Sequence, residues 1–445
     1  MKVYLDSVGC RLNQAEIEAY ARQFRQAGHS LVDSPELADL AVINTCAVTA
    51  AAASDSRQKV RKARRKPGIG RHAAQEQDRR GNTVVTGCWS TLRPREAAGM
   101  PGVSRVVPNA AKDRLVADLL GLPLVEFEVE PLERVPVPGA RSRTRAFIKV
   151  QDGCDNRCAF CVTALARGPG RSREAGEVLV DIQAASYRGG SDESAAVREV
   201  VLTGVHLGSW GQDLHPQKKL GDLVRMILYE TDLPRLRLSS LEPWDLDEGF
   251  LGLWQNPRLC RHLHLPVQSG CATTLQRMQR KTTPEAFTRL VGVARAMIPD
   301  LAITTDFIVG FPGESDAEFE ESLEFVKQMK FAGGHVFNYS PRPGTVASRM
   351  AGQVPPGVRK QRSLLMREVL AESAQAFRAG FLGQVLSVLW ESAASLGPQG
   401  WEMSGLTDNY LRVHASSPVG LWNQILQVRL ISMGDGCING EFIAG

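Results

Sequence analysis

At 445 residues the chain is long enough for about three domains. With 43% hydrophobic and 23% charged residues it can bury a sizeable core, which excludes global disorder. The net charge of +5 permits an anionic partner without requiring one, and no apolar run approaches the ~18 residues that would span a bilayer. Asp6 and Cys10 stand where a secretion signal would need an apolar stretch, so a cytoplasmic protein with no membrane association is expected.

In residues 1–130 the segments KVYLDSVGC, LAVINTC and NTVVTGC each read as a buried strand that stops at a cysteine. A helix-like stretch, LNQAEIEAYARQFRQAG, separates the first two and ends at Gly28. Strands alternating with helices imply an α/β, doubly wound parallel sheet. A Pro-rich linker is expected over 131–143. In residues 144–380 six candidate strands alternate with helical patterns: RAFIKV, EVVLTG, RLRLSS, HLHLPV, AITTDFIV and GHVFNYS. Six such units suggest a partial (β/α)6 barrel with its functional groups at the carboxyl ends of the strands. Residues 381–445 change texture to short strands (QVLSVLWES, YLRVHA, QILQVRLISM, INGEFI) and Gly turns, as in a small all-β barrel.

The cysteines carry the loudest signal. Cys154, Cys158 and Cys161 form a CxxxCxxC loop directly after the strand RAFIKV. Three thiolates on one loop can hold three irons of a 4Fe-4S cluster and leave the fourth open to a substrate or cofactor. A structural zinc would want a fourth ligand nearby, and none lies close in the sequence. Cys10, Cys46 and Cys88 are far apart but share a position, each ending a predicted strand. In an open parallel sheet such ends converge on one crevice. One small buried cysteine at a strand end is ordinary; three in a chain with the other loop favour a second 4Fe-4S cluster. Gly9 and Gly87, just before two of them, suit close backbone approach to a bulky group. Cys260, Cys271 and Cys437 lack any such spacing and read as packing residues, and His206, His262 and His264 read as hydrogen-bonded core residues, not ligands.

The CxxxCxxC loop after the first barrel strand resembles the radical S-adenosylmethionine (SAM) superfamily. The wider chain resembles the methylthiotransferase family within it, through VGCRLNQAE, VINTCAVT, VVTGCWS, LTGVHLGSWG, LSSLEP, HLHLPVQSGC, TTDFIVGFPGE and FNYSPRPGT. LTGVHLGSWG and LHLPVQSGC are most similar to the branch acting on N6-threonylcarbamoyladenosine, just 3′ of the anticodon in tRNA. The resemblance implies two 4Fe-4S clusters held by the six cysteines, SAM as cofactor, and addition of a methylthio group to adenine C2. An adenine C–H bond is too strong and too weakly acidic for side-chain acid–base chemistry, so radical abstraction is required. It also implies an anticodon stem-loop as partner, a small redox protein as electron donor and a sulfur donor.

SAM contacts are expected from strand-end groups: Phe160 beside the third loop cysteine, Thr203 and Gly204, Ser239, Ser240 and Glu242, Gln268 and Ser269, Asp306, Val309 and Gly310 at the adenine, and Tyr339. Strand-end Ser, Thr and Asp also commonly satisfy loop backbone groups. Arg157, Arg167, Arg171 and Arg173 either balance the loop's thiolates and the SAM carboxylate or face solvent. The alternatives are methylthiolation of a ribosomal-protein aspartate or of isopentenyladenosine in tRNA, and a non-catalytic iron–sulfur protein that binds RNA or senses redox state.

The strongest basic run, RQKVRKARRKPGIGR (57–71), is either a solvated helix face or a phosphate contact. The tail resembles the TRAM domain, an RNA-binding β-barrel, yet Arg412 and Arg429 stand against Glu391, Glu402, Asp408, Asp435 and Glu441, a net of 2 − 5 = −3 that opposes phosphate binding. TALARGPGRSR departs from the family pattern, so substrate contacts there are expected to differ. KPGIGRHAAQEQDRRGN reads as an inserted loop before the third strand-end cysteine.

Overall fold

The computed structural model describes residues 1–63, 82–122, 144–186, 196–397 and 400–443, with backbone alone over 393–397. The expected linker, most of the expected insertion and positions 64–71 of the basic run lie outside the described residues.

The N-terminal strands β1 (Lys2–Ser7), β2 (Ser30–Val32), β3 (Leu40–Thr45), β4 (Thr83–Gly87) and β5 (Val103–Val106) form one sheet in the order β2-β1-β3-β4-β5. Every pairing in it is parallel. The sheet is doubly wound because its strands are apolar on both faces. Val42 and Val84 pack under the helix Arg11–Gln26, whereas Ala41, Ile43 and Val85 pack against Ala53 and Val60 of the helix Ala50–Lys62. Thr49 starts the second helix by accepting a 3.0 Å hydrogen bond from the Ala52 N–H. The cysteine-bearing strands β1, β3 and β4 are immediate neighbours, and the chain order reverses between β1 and β3. Ligand crevices form at such a reversal.

The second domain begins with β6 (Arg145–Lys149) and a two-residue hairpin, β7 (Gln151–Asp152) and β8 (Arg171–Ser172), that spans the cysteine loop. It continues through β9 (Glu199–Thr203), β10 (Arg235–Leu238), β11 (His262–His264), β12 (Ala302–Val309) and β13 (Gly333–Asn338). β6, β9 and β10 are parallel, as are β11, β12 and β13, and parallel bridges at Leu236–Leu259 and Ser240–His264 join the two halves. This is the expected partial (β/α)6 barrel. Alternation sorts its residues: Ala146, Ile148, Val200, Leu202, Leu236 and Leu238 face the outer helices, while Phe147 and Val201 face inward. The inward pair meets Ala15, so the N-terminal helix Arg11–Gln26 lies across the barrel's inner side. The helices begin on sound caps, Thr283 for Pro284–Met297 and a Ser315–Glu318 capping box for Asp316–Met329.

The tail is a closed five-stranded barrel, β14 (Val385–Gly397), β15 (Gly400–Thr407), β16 (Arg412–Ser417), β17 (Ile425–Met433) and β18 (Ile438–Phe442), in the order β14-β15-β16-β18-β17. β15 has no counterpart in the sequence reading, because GWEMSGLT carries two glycines and a glutamate that mask its alternation. The barrel docks on the amino ends of the (β/α) strands. Arg235 donates to the Leu406 and Ser387 carbonyls at 2.9 and 2.7 Å, and Arg237 donates to those of Asp408 and Thr407 at 3.0 and 3.1 Å. Arg261 forks onto Asp408 at 2.7 and 3.1 Å. Tyr410 enters the barrel floor, stacked on His262 with centroids 4.1 Å apart, and its hydroxyl accepts from Arg11 of the N-terminal helix at 2.7 Å. Two of the tail's carboxylates are therefore turned inward, Asp408 on Arg261 and Glu391 on Arg145 and Arg412. Among the described residues no helix is long and apolar enough to cross a membrane.

Candidate cluster and cofactor sites

Cys10 follows β1 as the residue preceding the helix Arg11–Gln26, Cys46 follows β3, and Cys88 opens the short helix after β4. Adjacency of the strands brings the three thiols to one crevice. Gly9 and Gly87 adopt φ of +104° and +96°, and a Cβ added to Gly9 would stand 2.6 Å from the Cβ and Sγ of Cys46. The backbone thus approaches the neighbouring cysteine as closely as glycine permits. Cys46 is buried, and burial pushes its thiol up to about 11, a shift opposed first by a hydrogen bond from the Val48 backbone and then by Arg167. Ligation requires that proton to leave, so a nearby cation belongs to the chemistry of the site.

That cation comes from the next domain. Arg167 ends the short helix after the CxxxCxxC loop and is 2% exposed. It donates to Asn13 Oδ1 at 2.7 Å and to Glu16 and Asp152 at 2.9 Å each. Lys112 binds the same two carboxylates at 2.5 and 2.7 Å, and Asn44 donates to the other oxygen of Glu16 at 2.8 Å. Asn13 Oδ1 lies 3.8 Å from Cys10 Sγ, and Asn109 Nδ2 lies 3.7 Å from Cys88 Sγ while donating to the Ala166 carbonyl at 2.8 Å. Of the four expected arginines, Arg167 alone is a hub. Arg171 only approaches Asp152 at 3.9 Å, Arg173 pairs with Asp181 and Glu177, and Arg157 is exposed.

The CxxxCxxC loop is held by three further groups. Gln151 donates to the Asp152 and Gly153 carbonyls and accepts from the N–H groups of Val205 and His206, tying the loop to the turn after β9. His206 sits between Asp245 at 2.7 Å and Asn156 at 3.3 Å. Burial opposes a charged ring there, yet hydrogen bonds to Asp245 and Cys154 push His206 up to about 10. Arg280, sandwiched on Trp244 with 4.6 Å to the ring centroid, lies 3.6 Å from Cys158 Sγ and grips Glu242 at 2.6 and 3.2 Å. All three histidines are hydrogen-bonded as expected, His262 and His264 sharing the Thr304 hydroxyl and His206 bonding Asp245, and His206 in addition faces a loop cysteine.

The proposed SAM contacts gather around the carboxyl ends of the strands. Thr203 and Gly204 end β9, Ser239 and Ser240 end β10, and Asp306 lies in β12 with its Oδ2 3.4 Å from His264. The Oγ of Ser239 and Oδ1 of Asp306 are buried without a hydrogen-bond partner among the described residues. Buried polar atoms are normally satisfied, so these two fit a polar ligand held in the barrel mouth. Gln268 takes a left-handed backbone, φ 78°, a strain that fits a functional position. Phe160 and Tyr339 pack together with Phe311. Three expected contacts point elsewhere. Ser269 bonds Ser322 at 3.1 Å, the Val309 side chain lies in the core, and the Gly310 N–H donates to Glu314 at 2.6 Å.

Among the described residues no three Cys, His, Asp or Glu side chains converge on a single ion position. A cubane cluster gives each thiolate its own iron, so its ligands stand further apart than those of one zinc. The donor chemistry of both trios suits a cluster: each offers three thiols with a guanidinium close by, Arg167 on the Asn13 amide beside Cys10 and Arg280 3.6 Å from Cys158 Sγ. Cys260 and Cys271 stay buried and apart, and Cys437 lies against His414.

A six-stranded parallel barrel fragment with a CxxxCxxC loop after its first strand defines a radical SAM protein. The Radical SAM superfamily profile matches residues 148–326, and the profile described as uncharacterized protein family UPF0004 matches 2–107. The chain belongs to the methylthiotransferase family. It is 33% identical to the threonylcarbamoyladenosine tRNA methylthiotransferase MtaB of Bacillus subtilis over 99% of this chain and 96% of that one. It is 34% identical to MtaB of Thermotoga maritima over 92% of this chain and 90% of the relative. A tRNA-2-methylthio-N(6)-dimethylallyladenosine synthase of Maricaulis maris is 30% identical over 99% of this chain and 97% of its own. Among solved structures the radical SAM methyltransferase TsrM of Kitasatospora setae is similar in fold, with a TM-score of 0.55, 15% identity and coverage of 78% of this chain and 75% of that one. Membership carries SAM and a 4Fe-4S cluster as cofactors.

Proposed function

We propose that this chain is a tRNA methylthiotransferase that adds a methylthio group to C2 of N6-threonylcarbamoyladenosine, next to the anticodon. The carrying observation is the convergence of Cys10, Cys46 and Cys88 on a crevice that the radical SAM loop completes through Arg167. Likeness to two threonylcarbamoyladenosine enzymes over nearly the whole chain supports the choice of substrate. In this reading Cys154, Cys158 and Cys161 hold the SAM-binding cluster and Cys10, Cys46 and Cys88 a second 4Fe-4S cluster. When bound, the clusters and SAM supply hydrogen abstraction, the sulfur position and the methyl group.

The chain's own residues do the rest. Ser239 and Asp306 orient the polar part of SAM, and Phe160 and Tyr339 shield it from water. Arg167 and Arg280 balance thiolate charge at the two trios. Arg280 fixes Glu242, and Gln151 holds the loop to the β9 turn. The domain limits near 130, 143 and 380, the cytoplasmic setting, a small redox protein as electron donor and a separate sulfur donor belong to the same proposal. Nucleoside mass spectrometry of tRNA from a strain lacking the gene tests it. The methylthio form of N6-threonylcarbamoyladenosine should vanish and return on complementation. Its persistence, or loss of the methylthio group from isopentenyladenosine instead, overturns the reading.

A further inference from the structure

We propose that Arg167 is a positioning residue for the second trio: a guanidinium lent by the radical SAM domain, without which the Cys10–Cys46–Cys88 site has neither its charge balance nor its shape. The inference deepens the proposed function and rests on its second cluster. The geometry has four parts. Arg167 reaches across the domain boundary to Asn13, three residues past Cys10 and within 3.8 Å of its sulfur. Asn13 in turn donates to the carbonyls of Val8 and Thr45, at 2.7 and 3.2 Å, fixing the strand ends that carry Cys10 and Cys46. The residue before Arg167 presents its carbonyl to Asn109, whose amide is 3.7 Å from Cys88 Sγ. The other half of the guanidinium is spent on Glu16 and Asp152, one from each domain.

The Arg167 side chain therefore touches the support of Cys10 and Cys46, and the backbone just before it holds that of Cys88, all within six residues of Cys161. A cation fixed beside a cluster favours the state that has gained an electron, and hydrogen bonds around the sulfurs act the same way. Arg167 thus sets the second cluster's reduction potential from the domain that houses the first, and the N-terminal domain alone does not present a finished site.

The test uses the full chain with Cys154, Cys158 and Cys161 replaced by alanine, so that any cluster seen is the second one. After anaerobic reconstitution, iron content and a redox titration followed by electron paramagnetic resonance are read for three forms: Arg167 retained, Arg167→Lys and Arg167→Gln. Arg167→Gln should shift the midpoint to lower potential and reduce retained iron, with Arg167→Lys between it and the parent because lysine keeps the charge but cannot fork. If Arg167→Gln lacks parental circular dichroism, Arg167→Lys decides alone, by a lower midpoint and an altered spectrum. Potential, spectrum and iron equal to the parent overturn the inference and leave the second cluster standing. A parent that holds no cluster overturns both.

Discussion

A Cβ on Gly9 would meet both Cβ and Sγ of Cys46 at 2.6 Å, and φ of +104° is strained for any other residue. Gly9→Ala is expected to displace Cys46 and cost the protein the iron of one cluster while the CxxxCxxC loop keeps its own. Iron analysis with and without the loop cysteines checks this, and full iron in the variant contradicts it. At His206 the ring is buried, which disfavours its charge, and hydrogen bonds to Asp245 and Cys154 outweigh that. Its folded value of about 10 lies above the ordinary 6.5, so the stability it contributes is complete below 6.5 and fades as pH rises through 10. Asp245→Asn should bring the titration down by several units in histidine NMR of the metal-free protein; an unchanged titration would give the shift to another cause. The strand-end and loop positions of the six cysteines were legible because spacing and strand ends are local signals. Arg167 was named only as one of four arginines that either balance thiolates or face solvent, and Glu16, Lys112 and Arg280 not at all, since a charged residue reads as a solvent face until tertiary packing covers it.

Elements show the same division between local and tertiary information. The strands of both α/β domains announce themselves as apolar runs bounded by glycine and cysteine, and the helices by caps such as Thr49, Thr283 and Ser315. β2 and β5 were missed because short edge strands carry little burial, and β15 because its glycines break the alternation. The turn between β15 and β16 matters more than its length suggests. Its Tyr410 stacks on His262, lies under Arg237 and accepts from Arg11, so one ring meets all three domains. Tyr410→Ala is expected to destabilise the protein by about 2–3 kcal/mol, from lost ring packing plus a cavity in the barrel floor. Tyr410→Phe keeps the ring and loses one charge-assisted hydrogen bond, about 1–2 kcal/mol. Urea denaturation of the pair separates the terms, and equal midpoints for both variants would mean that the ring itself contributes nothing.

Across the whole molecule, buried and partly buried ion pairs join the domains. Glu16, Lys112, Asp152 and Arg167 form the upper joint, and Arg261–Asp408 the lower, where Arg237, held by Glu199 of its own domain, also donates to tail carbonyls. Such groups stabilise only as a complete set, because a lone buried charge costs several kcal/mol. Burial opposes each carboxylate's charge, yet its partners prevail: Arg167 and Lys112 hold Glu16 down to about 2 and Asp152 well below its usual range, Arg237 lowers Glu199, and Arg261 lowers Asp408. A carboxylate whose folded value is depressed contributes stability above its unfolded value and loses it as pH falls through the folded one. For Glu16 that window runs from 4.5 down to about 2. Acidification through it should therefore separate the domains before their cores melt. In the metal-free protein, near-ultraviolet circular dichroism should fall ahead of the far-ultraviolet signal. Trp89, buried beside Cys88, should become accessible to fluorescence quenchers over the same range. Coincident loss of both dichroism signals would show that the joints and the cores form one cooperative unit. In Glu16→Gln the upper joint already lacks a carboxylate and leaves Lys112 and Arg167 under-compensated. That variant should start less stable at neutral pH and lose less on acidification, a crossing that a general acid sensitivity of the fold would not produce.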